Sequence, residues 1–435
     1  MWAWFARRLD LPKVASVASG RSVRKVSFIR EAAIRSDTGQ RFTAGTPSLL
    51  RAMNERTVLE FIRERGPVSR AQLARDSGLS KPTVSQALMA LTSADLVREA
   101  GRTSGGKGPT AVLYELNPGA GWVLGLDVGA ARVRGAIANL TGEIVARADV
   151  RAKAGRARTL IQQVAETAHG LAAEAGVPRR RLSFAVVGSP GVFEPSTGHV
   201  AMAHNLPGWG RQGVFDELRK MLGVPMRFEN DVNLATLGER WHGLGKDVEN
   251  FVYLHVGTGV GLGLVLRGEL YRGSHGSAGE VAYLPLATTD PHDRAVRRSG
   301  ALEAALGAEG VIGVAKAAGI REPGTPKEIF DAARDGKTRA MTVVDTVARR
   351  IALAIAAISP IIDPELVIVG GGIGRNGDLL LEPVERELKA ISPFRPRIES
   401  SGLGADAELQ GAVSLALEAA QDRLFTRSSA RGGGP

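Results

Sequence analysis

Residues 250–270 read NFVYLHVGTGVGLGLVLRGEL. Two apolar runs flank a glycine-rich corner, Gly257–Gly261. Each run has strand length and β-branched content, and the corner has no side chain to obstruct a turn or a ligand. The spacing predicts a hairpin-like pair of strands. The same phrase recurs along the chain. WVLGLDVGAAR (122–132) runs into a glycine turn and then two further strands, and LSFAVVGSPGVF (182–193) is a buried strand ending in a turn. PMRFENDVNLATLGERWHG (225–243) is a short strand leading into a helix, and PELVIVGGGIG (364–374) a strand followed by a glycine loop. Between them RTLIQQVAETAHGLAAEAG (158–176) has the apolar spacing of an amphipathic helix. Strand followed by glycine turn, repeated, predicts an α/β body with ligand loops at its strand ends.

Upstream the grammar differs. LLRAMNERTVLEFIRERG (49–66) repeats apolar residues at helical spacing, at Leu50, Met53, Val58 or Leu59, and Ile62, and stops at Gly66-Pro67. In SRAQLARDSGLSKPTVSQALMALTSADLV (69–97), Ser69 can cap a helix and Gln72 can close a capping box. Gly78 makes a turn and Leu79 plugs the space behind it. Ser80 caps a second helix with Pro82 in its first turn, and Val84, Leu88 and Leu91 line its buried face. Two short helices across a tight glycine turn form a helix-turn-helix. LVREAGRTSGGKGPTAVLYELN (96–117) then reads as strand, basic flexible tip, strand, which is a wing. Ser80, Lys81, Thr83, Ser85 and Gln86 suit phosphates and base edges, and Arg102 and Lys107 sit where a wing meets a backbone or minor groove. An ordinary three-helix bundle with a polar face is the plainer alternative.

Charge favours the first reading. The chain has 435 residues and a net charge of +11. Residues 1–110 hold 19 Lys and Arg against 9 Asp and Glu, and the remainder is nearly balanced. A polyanion is therefore expected to meet the N-terminal quarter. Residues 1–46 are basic, acid-poor and without sustained periodicity, so disorder is expected there; a targeting segment or a misplaced start codon stays open. The chain has no cysteine, which excludes disulfides, iron–sulfur clusters and thiolate zinc sites. No apolar run is long enough for a membrane helix, and a cytoplasmic location is expected.

Residues 50–425 resemble the ROK family (repressors, open reading frames and sugar kinases), and within it the winged-helix regulators of the xylose and N-acetylglucosamine repressor type. The pieces that carry the resemblance are LDVGAARVRGA, VVGSPGVF, AHNLPGW, ENDVNLATLGE, VGTGVGLGLVLRGELYRGSHGSAGE, ALEAALG and DPELVIVGGGI, in that order. The resemblance implies a winged helix-turn-helix at 47–117 followed by a two-lobed actin-like ATPase (sugar kinase-like) fold. Lobe 1 would span 118–236, lobe 2 237–409, and a C-terminal helix at 410–428 would return to lobe 1. It implies a sugar in the interlobe cleft. Asp231 falls at the family's catalytic-base position, vestigial or sugar-binding here. Asn230, Glu280 and Glu303 fall at sugar-contacting positions, Asn205 lies near the same cleft, and Tyr283 could stack on a sugar ring, donate its hydroxyl, or simply pack.

Two departures matter. Family kinases open with Asp-x-Gly-Gly-Thr, and here that loop is Asp127-Val128-Gly129-Ala130-Ala131. Ala131 has no hydroxyl and Ala130 narrows backbone approach to phosphate. Zinc-containing members have a histidine where Tyr283 stands and three cysteines that are missing from RAVRRSGALEA (294–304). His275 and His292 do not replace them, so a packed apolar loop is expected to do the metal's work. These readings predict a repressor that binds double-stranded DNA as a homodimer or dimer of dimers and answers to a sugar or sugar derivative. No metal, cofactor or membrane partner is expected, and kinase activity is not expected. A sugar kinase with a fused DNA-binding domain is the first alternative, and a regulator that answers to a protein partner, or to no ligand, the second.

Overall fold

The N-terminal elements of the structure, a computed structural model, follow local sequence signals closely. The structure describes residues 47–103, 110–153, 155–194, 199–203, 206–286 and 292–431. Helix α1 (Pro47–Arg65) leads to the short strand β1 (Val68–Ser69) and helix α2 (Arg70–Ser77). Ser69 Oγ accepts the Gln72 N–H, but the Gln72 side chain meets the Ser69 hydroxyl rather than its backbone, so only one arm of the expected capping box forms. Gly78 takes φ 70°, which turns the chain into α3 (Lys81–Ser93). Strands β2 (Val97–Arg102) and β3 (Val112–Leu116) pair antiparallel as the wing, with β1 on the far side of β3. Val58, Leu59, Ile62, Leu73, Val84, Leu88 and Leu91 are buried, whereas Leu50 and Met53 point to solvent in this single chain.

The next part is built on a five-stranded sheet from β4 (Trp122–Val128), β5 (Arg132–Asn139), β6 (Ile144–Arg151), β7 (Leu182–Ser189) and, beyond a short β8 (Val192–Glu194) and β9 (His199–Ala201) pair, β10 (Met226–Asn230). The strand order is β10-β7-β4-β5-β6. β7 and β4 lie inside, buried on both faces, and read as continuous apolar runs. Helices α4 (Ala157–Glu174) and α5 (Val214–Leu222) cover one face.

Helix α6 (Asp231–His242) leads to a second sheet. It contains β11 (Phe251–Val256), β12 (Val260–Leu266), β13 (Glu269–Leu270) and two later strands, β14 (Leu366–Gly370) and β15 (Arg397–Ser400), in the order β13-β12-β11-β14-β15. The segment between β13 and β14 folds into α7 (Arg294–Ser299), α8 (Ala301–Leu306), α9 (Ala308–Ala317), α10 (Pro326–Arg334) and the long α11 (Thr338–Ile362). The expected glycine loop after β14 is instead one helical turn, α12 (Gly371–Gly374), and α13 (Gly377–Ile391) packs with α11 on the outer face of the sheet.

Helix α14 (Ala407–Arg431) closes the architecture. It lies with α6 against the first sheet, and the two helices touch backbone to backbone. A Cβ on Gly411 would come within 1.8 Å of the Leu234 carbonyl oxygen, and one on Gly238 within 2.2 Å of that of Ala407. Leu409, Val413 and Leu415 of α14 belong to the same apolar cluster as the winged-helix core. At the far end Arg56 of α1 pairs with Asp422 at 3.0 Å and Arg63 donates to Gln421 at 3.3 Å. The chain from Leu50 onward is one compact unit. Among the described residues no helix is long and apolar enough to cross a membrane.

Candidate ligand cleft and nucleic-acid face

The strand ends of both sheets and the first turns of α6 and α14 line a cleft of about 730 Å³. Asn230 and Asp231 stand where β10 becomes α6. Asn230 caps that helix by accepting the Asn233 N–H at 3.1 Å, and its side-chain amide donates to the Gly191 carbonyl at 3.2 Å. Asp231 accepts the Val232 N–H at 2.9 Å. Burial raises its carboxyl pKa, opposed by His255 and that N–H. The sequence reading overlooked the buried Glu229, which anchors the junction by binding Arg227, Arg272 and Asn233.

Across the cleft, Glu280 precedes a 3₁₀ turn at Val281–Tyr283, and Glu303 lies in α8. Glu303 accepts the Val260 N–H at 3.1 Å, which ties α8 to the start of β12. Burial, then the charges of Asp231 and Glu303, push the Glu280 carboxyl up to about 7. A carboxyl at that value can donate or accept a hydrogen bond near neutrality. Tyr283 donates its hydroxyl to the Arg298 carbonyl at 3.1 Å, although the residue is 40% exposed and lines the cleft. That bond fastens α7 to the 3₁₀ turn in the region where thiolates were expected to be missing. Among the described residues no three His, Cys, Asp or Glu side chains gather as a metal site. His275 lies in an exposed turn. Asn205 lies outside the described residues.

In the half of the cleft that faces β4, several polar groups of the lining are already paired within the protein. Asp127 Oδ2 accepts from Arg134 Nη1 at 3.0 Å, and the two residues are direct cross-strand partners on β4 and β5. Burial first, then the charge of Asp231, raises Asp127 to about 6, while Arg134 pulls it down. The Gly129 N–H is spent on the Arg132 carbonyl and the Gly257 N–H on the Gly259 carbonyl, so neither is free to cradle a phosphate. Ala130 packs on the apolar cluster behind the sheet. The His255 ring lies against both glycine turns: a Cβ on Gly257 or Gly371 would come within 2.7 or 3.0 Å of its Nε2. Burial holds His255 below the usual imidazole pKa. Glu408, in the first turn of α14, is pushed up to about 8 by burial and then by Asp127 and Asp231. Arg134, His255 and Glu408 were not picked out from sequence. The cross-strand register opposite Asp127 could have flagged Arg134; no local signal marks Glu408.

On the winged helix, Ser80 caps α3 by accepting the Thr83 N–H, and the two hydroxyls meet at 2.8 Å. Ser85 donates to the Lys81 carbonyl and accepts from Arg70 at 3.2 Å. Lys81, Gln86, Arg70 and Arg102 are exposed, and Thr83 and Ser85 half-buried between them. Arg70 adds a cation that the sequence reading did not include. Lys107 lies outside the described residues. The arrangement presents cations and amide or hydroxyl groups at the N-terminal end of one helix, the form in which a helix-turn-helix meets a major groove.

Comparison with known proteins follows the same division. Residues 123–419 match the ROK family, and residues 54–98 match a winged helix-turn-helix DNA-binding family. The xylose repressor of Caldicellulosiruptor bescii is 26% identical over 392 residues, covering 86% of this chain and 97% of its own length. The glucokinase of Thermotoga maritima is 31% identical over 317 residues, covering 68% of this chain and 97% of its own. A solved ROK family transcriptional regulator, a homologue of the E. coli MLC protein, superposes with a TM-score of 0.72 at 22% identity, over 87% of this chain and 99% of that one.

Proposed function

The chain belongs to the ROK family, and from that premise we propose that it is a DNA-binding transcriptional repressor controlled by a sugar or sugar derivative held in the cleft. The carrying observation is a conjunction. A winged helix with an open recognition helix shares one apolar cluster with the back of the first sheet, while the cleft keeps its carboxylates and has a closed first phosphate turn. Lys81, Gln86 and Arg102 reach the DNA, Lys107 is assigned to the same contact on its sequence alone, and the Ser80, Thr83 and Ser85 hydroxyls order the helix start against phosphates. Asn230, Asp231, Glu280 and Glu303 take the sugar hydroxyls with Tyr283 at their margin, and Asn205 is assigned to the same ligand by the family resemblance alone. A DNA partner puts the working site in the compartment that holds the chromosome, which for a cell without a nucleus is the cytoplasm.

Helix α14 supplies the connection between the two sites. It opens in the cleft at Glu408 and carries Gln421 and Asp422 to α1. A ligand drawn between the sheets shifts the repressor only as far as it binds one lobe arrangement better than the other. A homodimer, or a dimer of dimers, presents two recognition helices to two half-sites. The test is selection of duplexes from a random library by the full chain, repeated with Lys81→Ala and Gln86→Ala. A two-fold related motif whose recovery falls in both variants supports the reading, and no enrichment over input sinks it.

A second reading, sugar phosphorylation, draws on one observation: Asp231 has its pKa raised at the head of a helix in the cleft. ATP consumption with hexoses and amino sugars tests it. Turnover that disappears in Asp231→Asn would replace the repressor-only account.

A further inference from the structure

The recognition helix turns an apolar side chain toward solvent at the centre of its exposed face. Helix α3 buries Val84, Ala87, Leu88 and Leu91 in the winged-helix core. At about 100° per residue, Pro82, Gln86, Met89 and Ser93 fall within about 60° of one another on the opposite side, and all four are exposed. That stripe is the part of the helix a major groove meets first. The Pro82 ring closes on its own backbone, and Ser93 is short and ends the helix. Gln86 and Met89 are therefore the two side chains with the length to reach base edges from the middle of the stripe.

Met89 is 65% exposed, whereas Leu88 beside it is 3% exposed. A hollow of about 260 Å³ lies between α3 and the Glu99–Tyr114 pair of the wing strands, with Met89 in its wall, so the wing leaves the thioether uncovered. A lone apolar side chain on a surface carries no message by itself. This one stands in the middle of the face turned to DNA, with Arg70, Lys81 and Arg102 exposed on the same winged helix. The major groove offers an amide such as Gln86 both donors and acceptors. To an apolar side chain it offers one kind of group, the C5 methyl of thymine. Any other base edge facing Met89 would lose water and gain no hydrogen bond, whereas the thymine methyl gains by leaving water.

We propose that Met89 reads a thymine through its C5 methyl, beside the base that Gln86 reads. This rests on the DNA-binding reading above and adds a base and a kind of contact to it. The helix rises about 1.5 Å per residue, so the two side chains stand about 4.5 Å apart along it, against about 3.4 Å per base pair. The thymine therefore falls one or two base pairs from the Gln86 contact. An unbranched thioether with three rotatable bonds can follow a methyl group over that range.

The test uses the duplex that the full chain recovers from a random library. Each thymine is replaced in turn by deoxyuridine, which removes the methyl and leaves every hydrogen-bonding edge in place. Fluorescence anisotropy is expected to find a thymine, within two base pairs of the position where Gln86→Ala relaxes preference, whose replacement weakens binding about fourfold, the worth of one buried methyl. Met89→Ala is expected to bind the parent duplex about fourfold more weakly and to lose the distinction between thymine and deoxyuridine at that position. Met89→Leu, of similar volume, is expected to keep it. Neutral replacement at every thymine would overturn the proposal alone, and so would deoxyuridine penalties that all survive in Met89→Ala. Recovery of no duplex would overturn the DNA-binding reading and this proposal with it.

Discussion

Asp127, Glu280 and Glu408 titrate at about 6, 7 and 8 in the fold, each raised first by burial and then by neighbouring carboxylates. All three lie above their unfolded values, so the folded chain binds more protons than the unfolded one. Their contribution to stability is complete below about pH 4 and is lost as pH rises through the folded values. His255 has the opposite sign, because burial lowers its pKa; its contribution is lost as pH falls. Three groups outweigh one. The melting temperature of the ligand-free protein is expected to fall between about pH 5 and about pH 8, and Glu280→Gln and Glu408→Gln to flatten that slope. A melting temperature that rises with pH over this range would contradict the arrangement. Arg134 offers a second check. Removing it by Arg134→Ala leaves Asp127 enclosed without a counter-charge. Breaking a fully buried pair costs roughly 3–5 kcal/mol, and the solvent around Arg134, 23% exposed, brings the expected loss in urea unfolding to about 2 kcal/mol. Tyr283→Phe removes only the bond to the Arg298 carbonyl, and about 1 kcal/mol is expected.

At the level of elements, the α6–α14 crossing is the most demanding joint. Gly411→Ala forces the two backbones apart, and a loss of about 1–3 kcal/mol in urea unfolding is expected, against a gain of up to about 1 kcal/mol for an alanine at an open glycine of a helix. No loss would mean that the helices do not touch as described. Ser80→Ala removes the cap of α3 and should cost about 1 kcal/mol. These two positions differ in how far sequence could reveal them. The run Ser80-Lys81-Pro82-Thr83 announces a helix start by local chemistry alone, and β4, β7, β11 and β14 announce themselves by apolar runs that end in glycine. Helices α7 to α11 went unpredicted, although Gly300 and Gly307 bound α8, left-handed Gly319 and Gly336 follow α9 and α10, and a full capping box opens α10 at Thr325-Pro326. The cleft divides in the same way. Asn230 and Asp231 sit together in one motif, and Glu280 and Glu303 in two others of the same resemblance. Glu408 reaches His255 only because a helix returns from the end of the chain. Nothing within a window around either residue encodes that meeting.

Across the whole molecule, charge and architecture separate the two tasks. The basic excess lies in the N-terminal quarter, whereas the cleft lining is mixed, five carboxyls against four cations. DNA affinity should therefore fall steeply with salt, and Lys81→Ala should weaken binding to every duplex alike and reduce the salt slope by about 1 if it meets a phosphate. Fluorescence anisotropy over a salt series reads this directly; an unchanged slope with relaxed sequence preference would place Lys81 on a base instead. Gln86→Ala is the complementary case, expected to relax preference and leave the slope intact. One feature of the assembly bears on how such a protein can be re-engineered or can diverge. The winged helix has no private floor: its core continues into Leu409, Val413 and Leu415 of α14 and Val123, Ala136 and Ala138 of the first sheet. A chimera joined in the linker near Asn117 would set a foreign head on a surface shaped for this one. The transplantable unit is the head together with helix α14, two segments far apart in the chain. Replacing the head alone should yield a repressor that binds DNA and ignores its ligand.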